Sequence, residues 1–183
     1  MAIAQIPMQW EMRENIDSMK RALQLARSDG ATLCAFPELA VTGFHRRIVD
    51  WAKPELSEPA VDELRAAAEA VGIAAVFGAP TYGHGGTRFN SRLFVGSDGS
   101  LVGTVSKIGL TAPEATFFAP GTERQTMALA GLNCSAVICR EIEDVEQVLP
   151  QLQGKEVQLI FWPGSMRADP AKPIQDPPEH VVQ

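Results

Sequence analysis

Apolar residues recur along this chain with two different periods. Ile16, Met19, Leu23 and Ala26 lie three and four apart, so they share one helical face, with Asn15 as a candidate N-cap and Gly30 as the stop. The same spacing at Val61, Leu64, Ala68 and Val71, opened by Ser57 and Pro59 and closed by Gly72, predicts a second helix. Around these lie short continuous apolar runs at Ala2–Ile6, Thr32–Phe36 and Ile73–Ala79, the signature of buried strands.

From Asn90 the pattern changes. Leu93-Phe94-Val95 and Leu101–Val105 flank Ser97-Asp98-Gly99-Ser100, a hairpin turn by composition, and the second strand runs on to Lys107. A loop rich in turn residues, Thr111–Gly121, follows. Leu132–Ile138 reads as another buried strand, stopping at Cys139 and turning charged at Arg140-Glu141. Val145, Val148, Leu149 and Leu152 have helical spacing, with Pro150 expected to kink that helix or confine it to a start near Gln147. Val157–Trp162 is a last buried strand, and the residues after it read as an irregular tail approaching a helix near Glu179–Val182. Strands alternating with helices, plus one hairpin, predict an α/β domain containing a mixed sheet.

At 183 residues with 45% hydrophobic content, the chain has the size and composition of one ordinary globular domain. A net charge of −6 disfavours nucleic acid and anionic membrane surfaces as partners, since both select clustered Lys and Arg. The absence of a basic leader followed by an apolar run, and of any stretch approaching a membrane span, predicts a cytoplasmic protein. Three cysteines, with no CxxC and no Cys/His spacing, argue against both a disulfide framework and a zinc site.

Three groups of different chemistry fall at or just past a predicted strand end: Glu38, Lys107 and Cys139. A lone Cys139 would read as an inert thiol. A thiol is mostly protonated at neutral pH, so a cysteine nucleophile needs a base or a cation beside it. Glu38 can take its proton, and Lys107 can meet the negative charge that develops on a carbonyl oxygen or nitrile nitrogen, with the backbone N–H of Arg140 as a second oxyanion donor. Cys34 and Cys134 lie inside apolar strands and read as core thiols. The three histidines share no spacing and carry no role.

These segments resemble the nitrilase superfamily, the carbon–nitrogen hydrolases. Phe36-Pro37-Glu38-Leu39 with Thr42-Gly43-Phe44 is similar to that family's base motif, and Gln5 stands where its first strand commonly carries a glutamine. Asn90-Ser91, the Asp98-Gly99 turn and Val105-Ser106-Lys107 are similar to its lysine segment. Pro113-Glu114 with Phe118, Pro120 and Gly121 resembles the loop of its second glutamate. Val137–Glu141 resembles its cysteine elbow, with Glu141 as an acid that holds the elbow, and Leu159–Pro163 the strand after it.

The resemblance implies an incomplete four-layer α-β-β-α sandwich, with residues 1–165 forming the hydrolase domain and 166–183 a tail leading into a truncated helix. It implies hydrolysis through a covalent thioester or thioimidate, with Glu38 as general base and then acid, Lys107 as oxyanion stabiliser, Cys139 as nucleophile and Glu114 as a carboxylate that positions groups or shuttles protons. It implies no metal and no organic cofactor, a small-molecule amide as substrate, and possible pairing into a homodimer. Two departures stand out. Family members continue with a further helix and strands, so the chain is expected to behave as a fragment or truncated product. Arg140-Glu141 also replaces the Trp-Glu that usually follows a nitrilase cysteine, which disfavours a nitrile and favours a linear amide. The competing expectations are an inactive scaffold or binding protein of the same fold and an acyltransferase using the same thioester.

Overall fold

The computed structural model describes residues 1–45 and 48–164. The expected tail at 166–183 and its helical turn lie outside the described residues. Two sheets face each other. The larger has the order β1-β2-β3-β4-β5, built from β1 (Ala2–Ile3), β2 (Leu33–Ala35), β3 (Ala74–Tyr82), β4 (Arg88–Val95) and β5 (Leu101–Ser106). β1 to β3 pair in parallel, and β4 and β5 form the expected antiparallel hairpin, so the sheet is mixed. The smaller sheet has the order β6-β7-β8, with β6 (Met127–Leu129), β7 (Leu132–Ala136) and β8 (Leu159–Phe161). β7, which leads to Cys139, is its central strand.

Period-2 alternation sends the two faces of the larger sheet into different cores. Ala75, Phe77, Ala79, Leu93 and Val95 pack under helices α1 (Met12–Ser28) and α3 (Pro54–Val71), together with Ile16, Met19, Leu23, Leu64 and Ala68. Val76, Phe94 and Val105 point the other way and meet Met127, Cys134, Ala136, Ile138 and Phe161 of the smaller sheet. The layers are thus helices, five-stranded sheet and three-stranded sheet, with α5 (Val145–Leu152) following β7. This is the incomplete α-β-β-α sandwich that the motifs imply.

Several local expectations need correction. α1 begins at Met12, and Asn15 is buried inside it, its Oδ1 accepting the Gln9 N–H and its Nδ2 donating to the Val41 carbonyl. α3 begins at Pro54, where a proline has no N–H to leave unpaired, and Pro59 lies within it. Pro150 does not confine α5 to a start near Gln147, since that helix runs from Val145 to Leu152 with Pro150 within it. Each interior proline removes only the bond to the carbonyl four residues back, Glu55 or Glu146, both in the first turn, so the helix tolerates it. Strand β6 and the short helices α2 (Ile48–Trp51) and α4 (Ala112–Ala115) carry too few residues for their periodicity to register. Among the described residues, no helix is long and apolar enough to cross a membrane.

Candidate active site

Glu38 lies just past the end of β2, on a backbone that turns sharply: Leu39 has φ of +47°. The turn presses against β3 at Gly78. A Cβ on Gly78 would stand 2.2 Å from the Leu39 nitrogen and 3.0 Å from the Glu38 carbonyl carbon, so only glycine lets the two backbones approach this closely. The Val41 N–H donates to the Gly78 carbonyl and completes the clamp. The Glu38 side chain is driven into the interior, where it is 0% exposed.

Lys107 follows directly on β5. Its N–H donates to the Asn90 carbonyl and its carbonyl accepts the Gly121 N–H, so its backbone is held from both sides. The ammonium, 1% exposed, donates to Glu38 Oε1 at 3.0 Å and to Glu114 Oε1 at 2.6 Å. Glu38 Oε1 also accepts from Asn90 Nδ2 at 2.8 Å, while Glu38 Oε2 is buried with no hydrogen-bond partner.

Glu114 is the third residue of α4, and its carboxylate divides its work. Oε2 accepts from the backbone N–H and the hydroxyl of Thr111 at 2.8 and 2.9 Å, forming a capping box, which leaves Oε1 for Lys107. Burial works against the Lys107 charge, but attraction to Glu38 and the hydrogen bonds to both carboxylates outweigh it and raise its pKa. The ammonium is therefore firmly protonated at neutral pH.

Cys139 opens a 3-10 turn (Cys139–Glu143) at the carboxyl end of the β7 segment, with φ of +54°, a conformation that costs a non-glycine residue about 1–3 kcal/mol. Surrounding bonds hold it there. Its N–H donates to the Pro163 carbonyl, and its carbonyl accepts the Trp162 indole N–H, each at 2.7 Å. Cys139 is half-buried, whereas Cys34 and Cys134 are fully buried as expected, and burial pushes the Cys34 thiol up to about 11. Arg140 is the next residue of the turn, and its side chain reaches out to Asp144 at 3.6 Å.

Lys107 is thus in direct contact with both Glu38 and Glu114, and the backbone before Cys139 is tied through Glu141 to the segment after Lys107. The carboxylate of Glu141 accepts N–H bonds from Ile108 and Gly109, just after Lys107, and from Ile138, just before Cys139. Arg124 pairs with it at 2.9 Å.

Sequence reasoning missed Arg124, Arg92 and Gly78. A glycine inside a strand pattern signals a close backbone approach, so Gly78 could have been found. Arg92 could have been suspected because Asn90, Arg92 and Phe94 alternate onto one face. It is buried, donates from Nη1 to the Pro37 carbonyl, and stands close enough to Glu38 to feel its charge. Burial lowers its pKa to about 9, which still leaves it charged at neutral pH. Nothing in the residues around Arg124 marks its partner. A cleft of about 240 Å³ is lined by Gln5, Phe36, Pro37, Arg92, Phe161 and Trp162, among others, and Glu38, Lys107, Glu114 and Cys139 are not among its lining residues.

The comparisons with known proteins bear on the family and the fold. The family model described as carbon-nitrogen hydrolase matches residues 1–176. Among solved structures, the amidase of Nesterenkonia sp. AN1 superposes with a TM-score of 0.81 at 25% identity, over 92% of this chain and 67% of its own. A form of that enzyme showing the result of Michael addition of acrylamide at its active-site cysteine gives 0.80 at 25% identity, covering 92% and 67%. The glutamine-dependent NAD+ synthetase of Acinetobacter baumannii shares the fold at 24% identity and a TM-score of 0.76, over 89% of this chain and 31% of its own. The chain therefore spans about two thirds of the length of the amidases it resembles. No curated protein matches the sequence significantly. A family match over nearly the whole length, on the fold described above, establishes that this chain belongs to the carbon-nitrogen hydrolase family.

Proposed function

We propose that this protein hydrolyses the carbon–nitrogen bond of a small linear amide through a thioester at Cys139. The observation that carries the reading is the buried Glu38–Lys107–Glu114 contact, with the Cys139 elbow tied to the segment that follows Lys107. Glu38 takes the thiol proton, and the sulfur attacks the carbonyl carbon. The oxyanion is met by the Lys107 ammonium and by the backbone N–H of Arg140. Glu38 returns its proton to the departing ammonia as the carbon–nitrogen bond breaks, leaving an acyl-Cys139 thioester. Glu38 then deprotonates a water molecule, which attacks the thioester. The acid leaves, and the proton returns to the sulfur.

Glu114 fixes the lysine from the side opposite Glu38 and balances the local charge. The buried, unpartnered Oε2 of Glu38 supports its role as base, because a carboxylate oxygen with no fixed donor can accept a proton. An amide is favoured over a nitrile because the solved neighbours include amidases and because Arg140 stands where nitrilases carry tryptophan. The reading places the reaction in a reducing, cytoplasmic compartment, where Cys139 stays a thiol.

The test is ammonia release from a panel of short aliphatic amides by the purified chain. Release that Cys139→Ala abolishes supports hydrolysis. No release from any amide overturns it in favour of a non-catalytic scaffold. Hydroxamate formation with added hydroxylamine, faster than hydrolysis, would instead favour acyl transfer.

A further inference from the structure

The Lys107 and Cys139 segments belong to different sheets. β5 delivers Lys107 from the five-stranded sheet, and β7 leads to Cys139 from the three-stranded one. Apolar side chains such as Val76, Phe94, Cys134 and Phe161 hold the sheets together. Such packing is non-directional: it excludes water but does not by itself fix how far one strand end lies from another. Hydrogen bonds to a carboxylate do fix it, because they have both length and direction.

One carboxylate spans the gap. Glu141 Oε1 accepts the N–H of Ile108 at 2.8 Å and of Gly109 at 3.0 Å, the two residues after Lys107. Its Oε2 accepts the N–H of Ile138 at 2.6 Å, the residue before Cys139. Arg124 locks it in place, with Nη2 at 2.9 Å from Oε1, Nη1 at 3.3 Å from Oε2, and Nη1 also donating to the Ala136 carbonyl on β7. Both side chains are almost wholly buried, at 1% and 2% exposed, so solvent does not weaken the contact. The fit is close: a Cβ on Gly109 would lie 3.2 Å from Glu141 Cγ. Burial alone would favour the neutral acid, but Arg124 and the backbone donors outweigh it and lower the Glu141 pKa, so the carboxylate is ionised.

We infer that the buried Arg124–Glu141 pair is a strut that sets the separation of the Lys107 ammonium from the Cys139 thiol, with both members acting as positioning residues. This deepens the hydrolase reading and rests on its assignment of Lys107 and Cys139. A fold that needed only to close this corner could use an apolar pair, and buried ion pairs are often no more stabilising than one. Five directional contacts from two sheets to one acid serve registration instead.

Alkylation by iodoacetamide tests the strut without a substrate. Cys34 and Cys134 are 0% exposed, so the modified peptide reports Cys139, and the pH profile of its rate reports the cation beside it. Glu141→Gln keeps the shape but turns an amide N–H₂ toward one of its three backbone donors. Arg124→Met removes the lock, and Arg124→Lys restores charge without the fork. Leu23→Ala, in the core beneath α1, lowers stability far from the site. All are compared well below their melting temperatures.

For Glu141→Gln and Arg124→Met we expect alkylation at neutral pH to slow by at least ~10-fold and its pH midpoint to rise. Arg124→Lys recovers part of the loss, and Leu23→Ala keeps the wild-type rate and midpoint. If Lys107→Met shifts the profile while Glu141→Gln and Arg124→Met do not, the strut is overturned and the hydrolase reading stands. If Lys107→Met itself leaves the profile unchanged, the shared reaction centre is overturned, and the strut with it.

Discussion

Replacing Gly78 by alanine puts a methyl group 2.2 Å from the Leu39 nitrogen and 3.0 Å from both the Glu38 carbonyl carbon and the Pro37 carbonyl oxygen. Ordinary contact begins near 3.4 Å, so the two backbones must separate by about an ångström. Neither can yield as a flexible side chain does. β3 is paired on both sides, and the Glu38 turn is anchored by Val41 N–H to the Gly78 carbonyl and by Phe36 N–H to the Val76 carbonyl. Overpacking of this kind costs about 1–3 kcal/mol, which at this chain length lowers the melting temperature by roughly 2–12 °C.

The effect on catalysis should be larger. The displaced segment carries Glu38, and a misplacement of about 1 Å can cost on the order of 100-fold in rate. The assay pairs thermal melting with ammonia release. Gly30→Ala is the matched control: Gly30 has φ of +82° with nothing within 4 Å, so it loses stability through backbone strain alone, far from the site. We expect Gly78→Ala to lose activity far beyond its loss of stability, and Gly30→Ala to stay active. Wild-type activity in Gly78→Ala, measured below its melting temperature, would refute the steric reasoning.

Cys139→Ala should abolish ammonia release and change stability by less than about 1 kcal/mol, because the thiol is only half-buried; a melting curve beside the activity assay checks both. Lys107→Met strands two buried carboxylates without their cation. It should cost about 3–5 kcal/mol, and Lys107→Met with Glu114→Gln should recover part of that; a wild-type melting temperature in the single variant would count against the contact. The contributions of Cys34 and Lys107 to stability should fall as pH rises above about 9, opposed by Arg92, whose folded pKa is lowered to about 9 and which acts with the opposite sign. Burial raises the Cys34 pKa from 9.0 to about 11, and that of Lys107 is also raised. Both groups bind protons more tightly folded than unfolded, so their contribution is complete below the unfolded values and lost as pH rises through the folded ones. The Cys34 share, on the order of 2–3 kcal/mol, should vanish in Cys34→Ala, as melting temperatures from pH 8 to 11 would reveal.

The sequence by itself determined the alternation of strands and helices, the hairpin around Asp98-Gly99, and the placing of Glu38, Lys107 and Cys139 at strand ends. These features are local: a period of 3.6 or 2, a turn residue or a motif can be read within a window of about ten residues. Helix starts were less legible, because Asn15 is a good cap by type but is spent on the Gln9 and Val41 backbone instead. α5 likewise includes Pro150, the sixth of its eight residues, where the lost bond is the one to the Glu146 carbonyl.

Only the tertiary structure decided which groups meet. Glu38 and Lys107 are 69 residues apart, and Arg124 and Glu141 are 17 apart, and no local pattern encodes either contact. A window shows Gly78 as a strand glycine that marks a close approach, but not that the Glu38 turn is what rests against it. Such pairings are set where separate strands end in space, and that depends on how the two sheets pack. The residues carry the chemistry, and packing decides that Lys107 meets Glu38 and Glu114 and that Glu141 ties the segment after Lys107 to the one before Cys139.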